Sequence, residues 1–583
     1  MTARRLPLRA DPRRLRLLTF FLLGVMLAAG IGLRDPWPAD EPRFMLVAKT
    51  MVESGDWLIP QRGVELYPDK PPLFMWAQAA SYQVIGNWRI AFLLPSLLAG
   101  LLTLWLVFDL ARRHASERAA LLATALTALT FQFTFQFKGA QIDPLLVALV
   151  TLGCYGLCRH LINGPRWGWY VLAWIAVALG IMAKGVGFLA LFLLLPYLLL
   201  RWRAPHAMPH IGALDWRWLL GPLALLLTLS LWLGPLFLRV WASDDPRLDA
   251  YLNNILFSQT VERYLDPWHH VKPGWYFIEV LLTAWQPAGL LLLAALPTLW
   301  RRARAGRVDP YLWLPFGMWA ATMVFFSLSP GKRDMYILPA LPMLAVALAP
   351  LLPGLLRLSW LRWALWLLTL ALSIGLAGMA LAAWFGNPGF EVRLADSRGI
   401  DPWPLAFAMG AIGIALAAWL RPRRGPLVFA GMVWSMWMLW GLVGYPLLDG
   451  ARSARDVMQQ AGRIIGPDAE LALVGWREQN YLQADRAVAD FGFKRPKLAQ
   501  LGDAIGWLDA APSRRWVFAR DEELSPCIDL ALATNIGQAN RRTWYLFQAD
   551  AVTDTCRRDG PGQGTAPPVP DGRLDRRSGE TVR

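Results

Sequence analysis

Residues 88 to 111 read WRIAFLLPSLLAGLLTLWLVFDLA, and only Arg89 and Asp109 are charged within this stretch. A helix of this length covers the apolar thickness of a lipid bilayer. A soluble helix would instead show a polar face every three to four residues. The stretch therefore predicts a membrane-spanning helix, and comparable runs recur through a chain that is 56% hydrophobic and 17% charged.

Runs of roughly 17 to 25 apolar residues predict about thirteen spans in all. They lie near residues 15–33, 88–111, 119–137, 142–160, 168–183, 186–200, 217–240, 276–299, 310–328, 335–352, 361–385, 403–420 and 427–446. The 32 Trp residues fit this solvent, because indole rings favour the headgroup level of a membrane. The predicted fold class is therefore an all-α polytopic membrane protein.

The loops between these runs differ in charge. Arginine is dense at 112–118, 201–217, 300–309 and 421–425, and the positive-inside rule places such loops, together with the N-terminus, in the cytoplasm. An odd number of spans then places the C-terminus in the periplasm of a bacterial inner membrane. These loops hold most of the net charge of +16, so the charge predicts topology and does not point to a nucleic-acid partner.

Composition divides the chain into three regions. Residues 1–446 hold the predicted spans and a polar first loop at 35–87, which could lie on the periplasmic surface as interfacial helices. Residues 447–556 mix short β-rich runs, at 471–474, 516–518 and 544–547, with helical stretches and predict a small periplasmic α/β domain. The tail at 557–583 is rich in Gly, Pro and Arg and is predicted to be disordered.

The four cysteines fall in two places. Cys154 and Cys158 lie inside an apolar run, whereas Cys527 and Cys556 lie in the polar C-terminal region. Only the second pair is placed to form a disulfide. It would do so if that region faces an oxidising compartment such as the periplasm.

Lysine is used sparingly and none of the eight lysines falls in a predicted cytoplasmic loop. Six lie near helix ends on the opposite side and two in the C-terminal region: Lys49, Lys70, Lys138, Lys184, Lys272, Lys332, Lys494 and Lys497. Positive-inside selection alone tolerates a few scattered cations outside. The alternative is that compact ammonium groups bind an anionic headgroup at the membrane surface.

The first loop begins with Asp40-Glu41-Pro42-Arg43. A carboxylate with cations nearby suits a general base that deprotonates an acceptor hydroxyl beside a phosphate leaving group. The competing explanation is structural, because an acidic residue at this place often caps the N-terminus of a helix.

Several motifs, taken in order, resemble the bacterial aminoarabinose lipid A transferases, which are relatives of the protein O-mannosyltransferases. The motifs are Asp-Glu-x-Arg at 40–43, Ser-Gly-Asp-Trp at 54–57, Tyr-x-x-Lys-Pro-Pro at 67–72, Lys-Gly at 184–185, His-x-x-Pro at 270–273 and Ser-Pro-Gly-Lys-Arg at 329–333 followed by Tyr-Ile-Leu-Pro at 336–339. The resemblance covers residues 15 to about 446 and implies the C-type glycosyltransferase fold.

The resemblance also implies roles for individual residues. It makes Asp40 and Asp143 the catalytic carboxylates, and it implies a divalent metal (zinc, magnesium or manganese) held by Asp69 and His270. Asp69 stands where relatives have Glu, which shortens that ligand by one methylene. The residues implied to bind the lipid phosphate of the donor are Arg43, Tyr67, Lys70, Lys184, Lys332 and Tyr336.

The predicted function is transfer of a sugar from a polyprenyl (undecaprenyl) phosphate donor to an envelope acceptor such as lipid A. A protein O-glycosyltransferase or another lipid-linked glycan transferase is the nearest alternative. A secondary transporter or lipid flippase is the alternative from another class, but transporters usually place ionisable residues near the bilayer midplane in paired repeats. Here those residues collect at one interface, and no Asp-x-Asp triplet or Walker-type motif indicates a nucleotide-sugar donor.

Overall fold

The computed structural model describes residues 11–209, 211, 215–256, 271–386, 401–524, 526–539 and 542–560. Contacts divide the chain into two compact units. The first unit contains nearly all residues up to Asp449, and the second contains Gly63–Glu65 and the chain from Gly450 onward. The predicted domain boundary at residue 446 lies close to this division. The prediction of a disordered tail at 557–583 is wrong for its first residues, because 557–559 end a helix, and residues from 561 on lie outside the described residues.

The first unit is built from helices joined mostly by short turns. In chain order these are α1 Pro12–Ala28, α2 Glu41–Ser54, α3 Leu73–Ile85, α4 Trp88–Ala91, α5 Leu94–Ala111, α6 Glu117–Leu129, α7 Phe131–Phe137, α8 Ile142–Leu161, α9 Trp167–Lys184, α10 Leu194–Arg203, α11 Leu220–Trp241, α12 Pro246–Asn253, α13 Tyr276–Leu282, α14 Ala288–Arg304, α15 Pro310–Leu328, α16 Leu341–Leu348, α17 Leu352–Leu355, α18 Ser359–Gly386, α19 Trp403–Leu420, α20 Gly425–Leu439 and α21 Tyr445–Ser453. Short 3-10 turns precede α10 and α16, at Gly187–Leu193 and Asp334–Ala340.

Within the described residues, eight helices are long and apolar enough to cross a membrane, and a ninth span results if α6 and α7, which meet at 65°, are counted as one. A polytopic, mainly helical membrane protein is thus confirmed, and the count of thirteen stays a prediction. Several predicted runs are broken in the structure. The run at 276–299, for example, is divided into α13, of 7 residues, and α14, of 17 residues.

Helix α8 occupies the centre of this unit. Its apolar window is 89% buried, whereas that of α11 is only 17% buried and exposes Leu side chains as a lipid-facing helix does. Close packing around α8 depends on small residues, because a Cβ atom at Gly156 would lie 2.5 Å from the backbone oxygen of Trp169. The central position of α8 matters for function, since its first turn carries Asp143.

The polar first loop forms two helices, α2 and α3, with a two-stranded hairpin between them, β1 Gln61–Arg62 and β2 Glu65–Leu66. Helix α2 ends at Gly55, whose left-handed backbone (φ 74°) is a common helix stop. Its buried side chains include Phe44, Val47 and Met51. The first loop therefore contains helices with buried side chains. Helices were predicted for this loop, and their position at the membrane surface stays a prediction.

The second unit is an α/β structure. Its sheet has the strand order β4-β3-β5-β7-β6, with β3 parallel to β4 and β5, and β7 antiparallel to β5 and β6. The strands and helices are β3 Glu470–Leu473, β4 Val488–Asp490, β5 Arg515–Arg520, β6 Thr534–Ala539, β7 Arg542–Phe547, α22 Arg455–Ile465, α23 Glu478–Gln483, α24 Lys497–Asp509 and α25 Asp554–Asp559. Three of these strands coincide with the β-rich runs of the sequence.

A disulfide joins Cys527 to Cys556 within the core of the second unit, and both residues are buried. It closes a loop of 29 residues, which in the chain-entropy treatment stabilises a fold by about 3.5 kcal/mol. Cys154 and Cys158 are buried free thiols of α8.

We expect the double variant Cys527→Ser/Cys556→Ser to lower the unfolding free energy of the second unit by about 3 kcal/mol. Limited proteolysis of the full-length protein, followed by mass mapping of cuts after residue 450, measures this. Reductant should produce the same sensitivity in the wild-type protein and no further change in the variant. Equal protease resistance of wild type and variant under oxidising conditions would contradict a stabilising disulfide.

Candidate active site

Asp40 stands directly before α2, at the N-cap position, but its carboxylate makes no capping hydrogen bond to the helix backbone. The Arg43 guanidinium lies one helical turn on, with Nη1 3.5 Å from Asp40 Oδ1. Both side chains keep about a third of their surface exposed, 32% for Asp40 and 28% for Arg43. The structural explanation of Asp40 as a helix cap is therefore wrong, and its carboxylate remains accessible to a substrate.

Glu41, the next residue, has the opposite environment. Its carboxylate is buried and accepts two hydrogen bonds from Arg34, at 2.5 and 2.7 Å. It also accepts the backbone N–H of Trp37 at 2.8 Å and of Ala140 at 2.9 Å. Glu41 thereby joins the loop before α2 to the loop before α8. Asp40 ends the first of these loops and Asp143 follows the second, so Glu41 links the segments that carry them.

Lys138 extends this buried network. Its ammonium donates to the backbone oxygens of Met26 and Ala29 at the end of α1, at 3.1 and 2.6 Å, and its own backbone oxygen accepts the Tyr445 hydroxyl. Burial and the neighbouring Arg34 lower the pKa of Lys138 to about 7. The expectation that this lysine binds a surface anion is therefore wrong, because its side chain is buried and its donors go to the last carbonyls of α1.

A second cluster forms where α8 begins and α9 ends. The Lys184 ammonium lies 2.5 Å from Asp143 Oδ1 and 5.4 Å from the ring centroid of Tyr336. Asp143 is 5% exposed, and the side chain of Lys184 is 17% exposed. Three residues predicted from separate parts of the sequence thus come together, and the buried acid is neutralised by the lysine.

Lys184→Met should destabilise the protein by about 3 kcal/mol, because it leaves the buried Asp143 carboxylate without its partner. Lys49→Met is the matched control, since Lys49 pairs with Glu53 on the surface of α2 at 3.7 Å and should cost under about 0.5 kcal/mol. Thermal unfolding of the purified variants in detergent measures both. The prediction is wrong if the two variants melt at the same temperature, or if Asp143→Asn fails to recover stability in the Lys184→Met background.

Tyr67 is fully buried after the hairpin, and burial raises the pKa of its hydroxyl while the charge of Arg43 opposes that shift. The Arg62 guanidinium lies 5.5 Å from the Tyr67 ring. Asp69 also influences this hydroxyl, and Lys70 follows it as a half-buried residue. The predicted donor-binding residues of the first loop therefore gather around Arg43 and Tyr67.

Apolar packing holds this loop against the membrane helices. Ile59, at the start of the hairpin, shares a buried cluster with Met182, two residues before Lys184, and Leu66 and Leu73 pack against the same cluster. Because Leu66 and Leu73 flank the Tyr67 and Lys70 segment, this packing places the segment on the same end of α9 as Lys184.

Lys332, predicted to bind the donor phosphate, holds two loops together in the structure. It is 4% exposed, and its ammonium donates to the backbone oxygens of Lys272, at 3.0 Å, and of Ser329. These bonds tie the loop at 329–333 to the segment before α13, where Val271 pairs with Gly331. Lys332 therefore positions the loop that leads to Tyr336.

The predicted metal ligands are Asp69 and His270. Asp69 is half-buried, and His270 lies outside the described residues. Within the described ranges, no group of three or more His, Cys, Asp or Glu side chains is placed to hold a metal ion. A metal at Asp69 and His270 stays a prediction.

Sequence reasoning missed the buried charges behind the site. Arg34 and Glu41 form one pair, and Arg89 forms another set with Asp35, at 3.0 Å, and Asp449, at 3.3 Å. The available signal was weak. Arg34-Asp35 directly follows the first apolar run, and charges that end a span are usually exposed, so only the fold shows that these are buried.

Solved structures share this fold. The crystal structure of ArnT from Cupriavidus metallidurans bound to undecaprenyl phosphate covers 93% of this chain and 100% of that chain, with a TM-score of 0.69 at 20% identity. The apo structure of the same protein covers 93% and 98%, with a TM-score of 0.63. The fold and the site together define the class, a polytopic membrane protein with the ArnT fold, which fits the predicted C-type glycosyltransferase fold.

In sequence, the chain resembles the undecaprenyl phosphate-alpha-4-amino-4-deoxy-L-arabinose arabinosyl transferases. It is 28% identical to the one from Pseudomonas savastanoi over 332 residues, which are 56% of this chain and 58% of that relative. It is 30% identical to the one from Edwardsiella ictaluri over 322 residues, 53% and 54% of the two chains. The chain thus spans little more than half the length of the curated relatives it matches, and the resemblance predicted from the motifs is confirmed.

Residues 69–232 match the sequence profile of a further family, Dolichyl-phosphate-mannose-protein mannosyltransferase. The matched segment contains Lys70, Asp143 and Lys184, while Asp40 and Arg43 precede it. The profile thus covers the central helices and only part of the candidate site.

Proposed function

We propose that this protein is a glycosyltransferase that moves a sugar from a polyprenyl (undecaprenyl) phosphate donor to an envelope acceptor such as lipid A. The observation that carries the proposal is the uncapped, partly exposed Asp40 carboxylate beside Arg43, on backbone tied to the Asp143 and Lys184 cluster. The similarity to transferases named for an undecaprenyl phosphate-linked aminosugar supports the donor class.

In the proposed reaction the donor phosphate is bound by cations of the first loop and of α9, chiefly Arg43, Lys70 and Lys184. Asp40 accepts the proton of the acceptor hydroxyl as its oxygen attacks the anomeric carbon of the sugar. The bond from that carbon to the phosphate oxygen breaks, and polyprenyl phosphate leaves with the electron pair. The cations stabilise the leaving group, and such preorganised charge is usually the largest catalytic contribution.

Asp143 has a supporting part in this scheme. Because it is buried and paired with Lys184, it holds the ammonium at a defined place beside Tyr336. A fixed cation costs little reorganisation when negative charge develops on the phosphate. Asp40 is accordingly the proton acceptor and Asp143 the residue that positions a cation.

The proposed topology has about thirteen spans in a bacterial inner membrane, an N-terminus in the cytoplasm and the α/β unit in the periplasm. The Arg-dense loops support this orientation through the positive-inside rule. The Cys527–Cys556 disulfide supports an oxidising compartment for the second unit. The active site would then face the periplasm.

Mass spectrometry of lipid A and of total envelope glycoconjugates from cells with and without the gene tests this function. A sugar-sized mass increase on lipid A that requires the gene, and that an Asp40→Asn gene fails to restore, is the expected result. An increase confined to proteins would instead favour a protein acceptor, the alternative that the mannosyltransferase profile suggests. An unchanged envelope in cells that contain the protein in quantity would contradict the proposal.

A further inference from the structure

A polar pocket lies at the far end of α8 from the candidate active site. Its volume is about 450 Å³, and its lining is formed by Arg112, Arg113, Glu117 and Asn163. Asn163 follows the last turn of α8, whereas Asp143 is in the first turn. Because α8 has 20 residues, the two sites are separated by about 30 Å.

One buried carboxylate holds the two arginines of the pocket. Asp109, 3% exposed, accepts Nε and Nη2 of Arg112 through one oxygen, at 2.9 and 2.7 Å, and Nε and Nη2 of Arg113 through the other, at 2.9 and 2.6 Å. Tyr155 donates to the same carboxylate at 2.7 Å, and Arg159 donates to Tyr155. Both guanidinium groups are thus fixed before any ligand arrives, which reduces the entropy lost on binding.

The fixed arginines keep donors for a ligand. Neither Nη1 of Arg112 nor Nη1 of Arg113 takes part in a hydrogen bond within the described part of the chain. The Asn163 amide also lines the pocket, and its nitrogen donates to the Tyr311 hydroxyl. A guanidinium group binds phosphate oxygens through paired N–H donors. The two guanidinium groups, beside one amide, therefore suit a phosphate ligand.

The charge balance around the pocket is positive. Among the charged side chains of the lining and their ion-pair partners, Arg16, Arg112, Arg113 and Arg159 outnumber the acids Asp109 and Glu117 by two. Arg16 lies 3.6 Å from Glu117, so this acid of the lining is itself partly neutralised. An anion in the pocket is therefore attracted by both guanidinium groups and meets little net repulsion.

The position of the pocket favours a lipid. It lies where α5 ends and α6 begins, at the end of the apolar span that closes at Ala111. Basic pockets at this depth bind anionic headgroups, and a volume of this size has room for a glycerophosphate as well as its phosphate. We propose that this pocket binds the phosphate of an anionic membrane phospholipid. Free inorganic phosphate offers the same oxygens, and binding measurements with each ligand distinguish the two sources.

The test compares binding of phosphatidylglycerol to the purified full-length protein in detergent, by native mass spectrometry and by thermal stabilisation. Asn163→Asp places a negative charge opposite the guanidinium pair and should weaken binding at least about fivefold. Glu117→Gln removes the acid that the described residues contribute to the lining and should strengthen binding by a similar factor. Ser359→Asp is the matched control, because Ser359 is exposed between Arg357 and Arg362 in sequence and lies outside the pocket lining.

Opposite effects of Asn163→Asp and Glu117→Gln, with no effect of Ser359→Asp, are the expected result. Phosphatidylcholine in place of phosphatidylglycerol should give little stabilisation in any variant. Equal binding of phosphatidylglycerol by all four proteins would overturn the proposal. Stabilisation by inorganic phosphate without a response to phosphatidylglycerol would assign the pocket to a soluble ligand and overturn the lipid assignment.

Discussion

Asp40→Asn is expected to lower the rate of sugar transfer about a thousandfold while leaving the protein folded. General-base catalysis typically contributes a factor of about 10²–10⁴, and asparagine cannot accept the proton. The protein should still fold, because the Asp40 carboxylate does not cap α2. Its ion pair with Arg43, at 3.5 Å, is partly exposed. Transfer from a polyprenyl-phosphate sugar to lipid A, followed by mass spectrometry, measures the rate.

Glu53→Gln is the matched control for this substitution. Glu53 is a carboxylate at the other end of α2, 63% exposed, and its neutralisation should leave transfer within twofold of wild type. An Asp40→Asn protein with wild-type transfer would remove Asp40 from the chemistry. A protein that neither folds nor transfers would show that the carboxylate has a structural role, against the absence of a capping bond.

Glu41→Gln, one residue further on, is expected to destabilise the protein by about 3–5 kcal/mol. The change leaves the Arg34 guanidinium, 2% exposed, without a negative partner, and an uncompensated buried charge carries a cost of this size. It also weakens the bonds to Trp37 and Ala140, which connect two loops of the site. Thermal unfolding in detergent should show the loss, and activity should fall together with the folded fraction.

A double variant distinguishes the cost of leaving one buried charge unpaired from the cost of losing the pair as a whole. Arg34→Met/Glu41→Met removes both charges, so it should recover part of the stability lost in Glu41→Gln. Glu53→Gln again serves as the surface control. A Glu41→Gln protein as stable as wild type would show that the buried pair does not hold the loops together.

Much of the fold could be predicted from local pattern. Apolar runs such as 88–111 decide the membrane class because lipid requires long apolar helices, and the β-rich runs of the second unit became β3, β5 and β7. What local pattern could not predict is where helices break. The run at 119–137 bends by 65° at Thr130 although its composition stays apolar, because bending depends on the packing of neighbouring helices.

The candidate site shows the same division. Asp143, Lys184 and Tyr336 were predicted as site residues, and the structure brings these three together. Asp40 and Glu41 are adjacent and chemically alike, yet one is accessible and the other is buried under Arg34. Sequence cannot separate such neighbours, because burial is decided by residues more than a hundred positions away, including Tyr445 above Arg34.

Reconstitution of the purified protein into liposomes, with undecaprenyl phosphate-4-amino-4-deoxy-L-arabinose as donor and lipid A as acceptor, is the decisive measurement. The wild-type protein should convert donor into free undecaprenyl phosphate and glycosylated lipid A in equal amounts, and Asp40→Asn should form neither. Intact donor that changes leaflet without losing its sugar would contradict the transferase proposal and identify a lipid transporter instead.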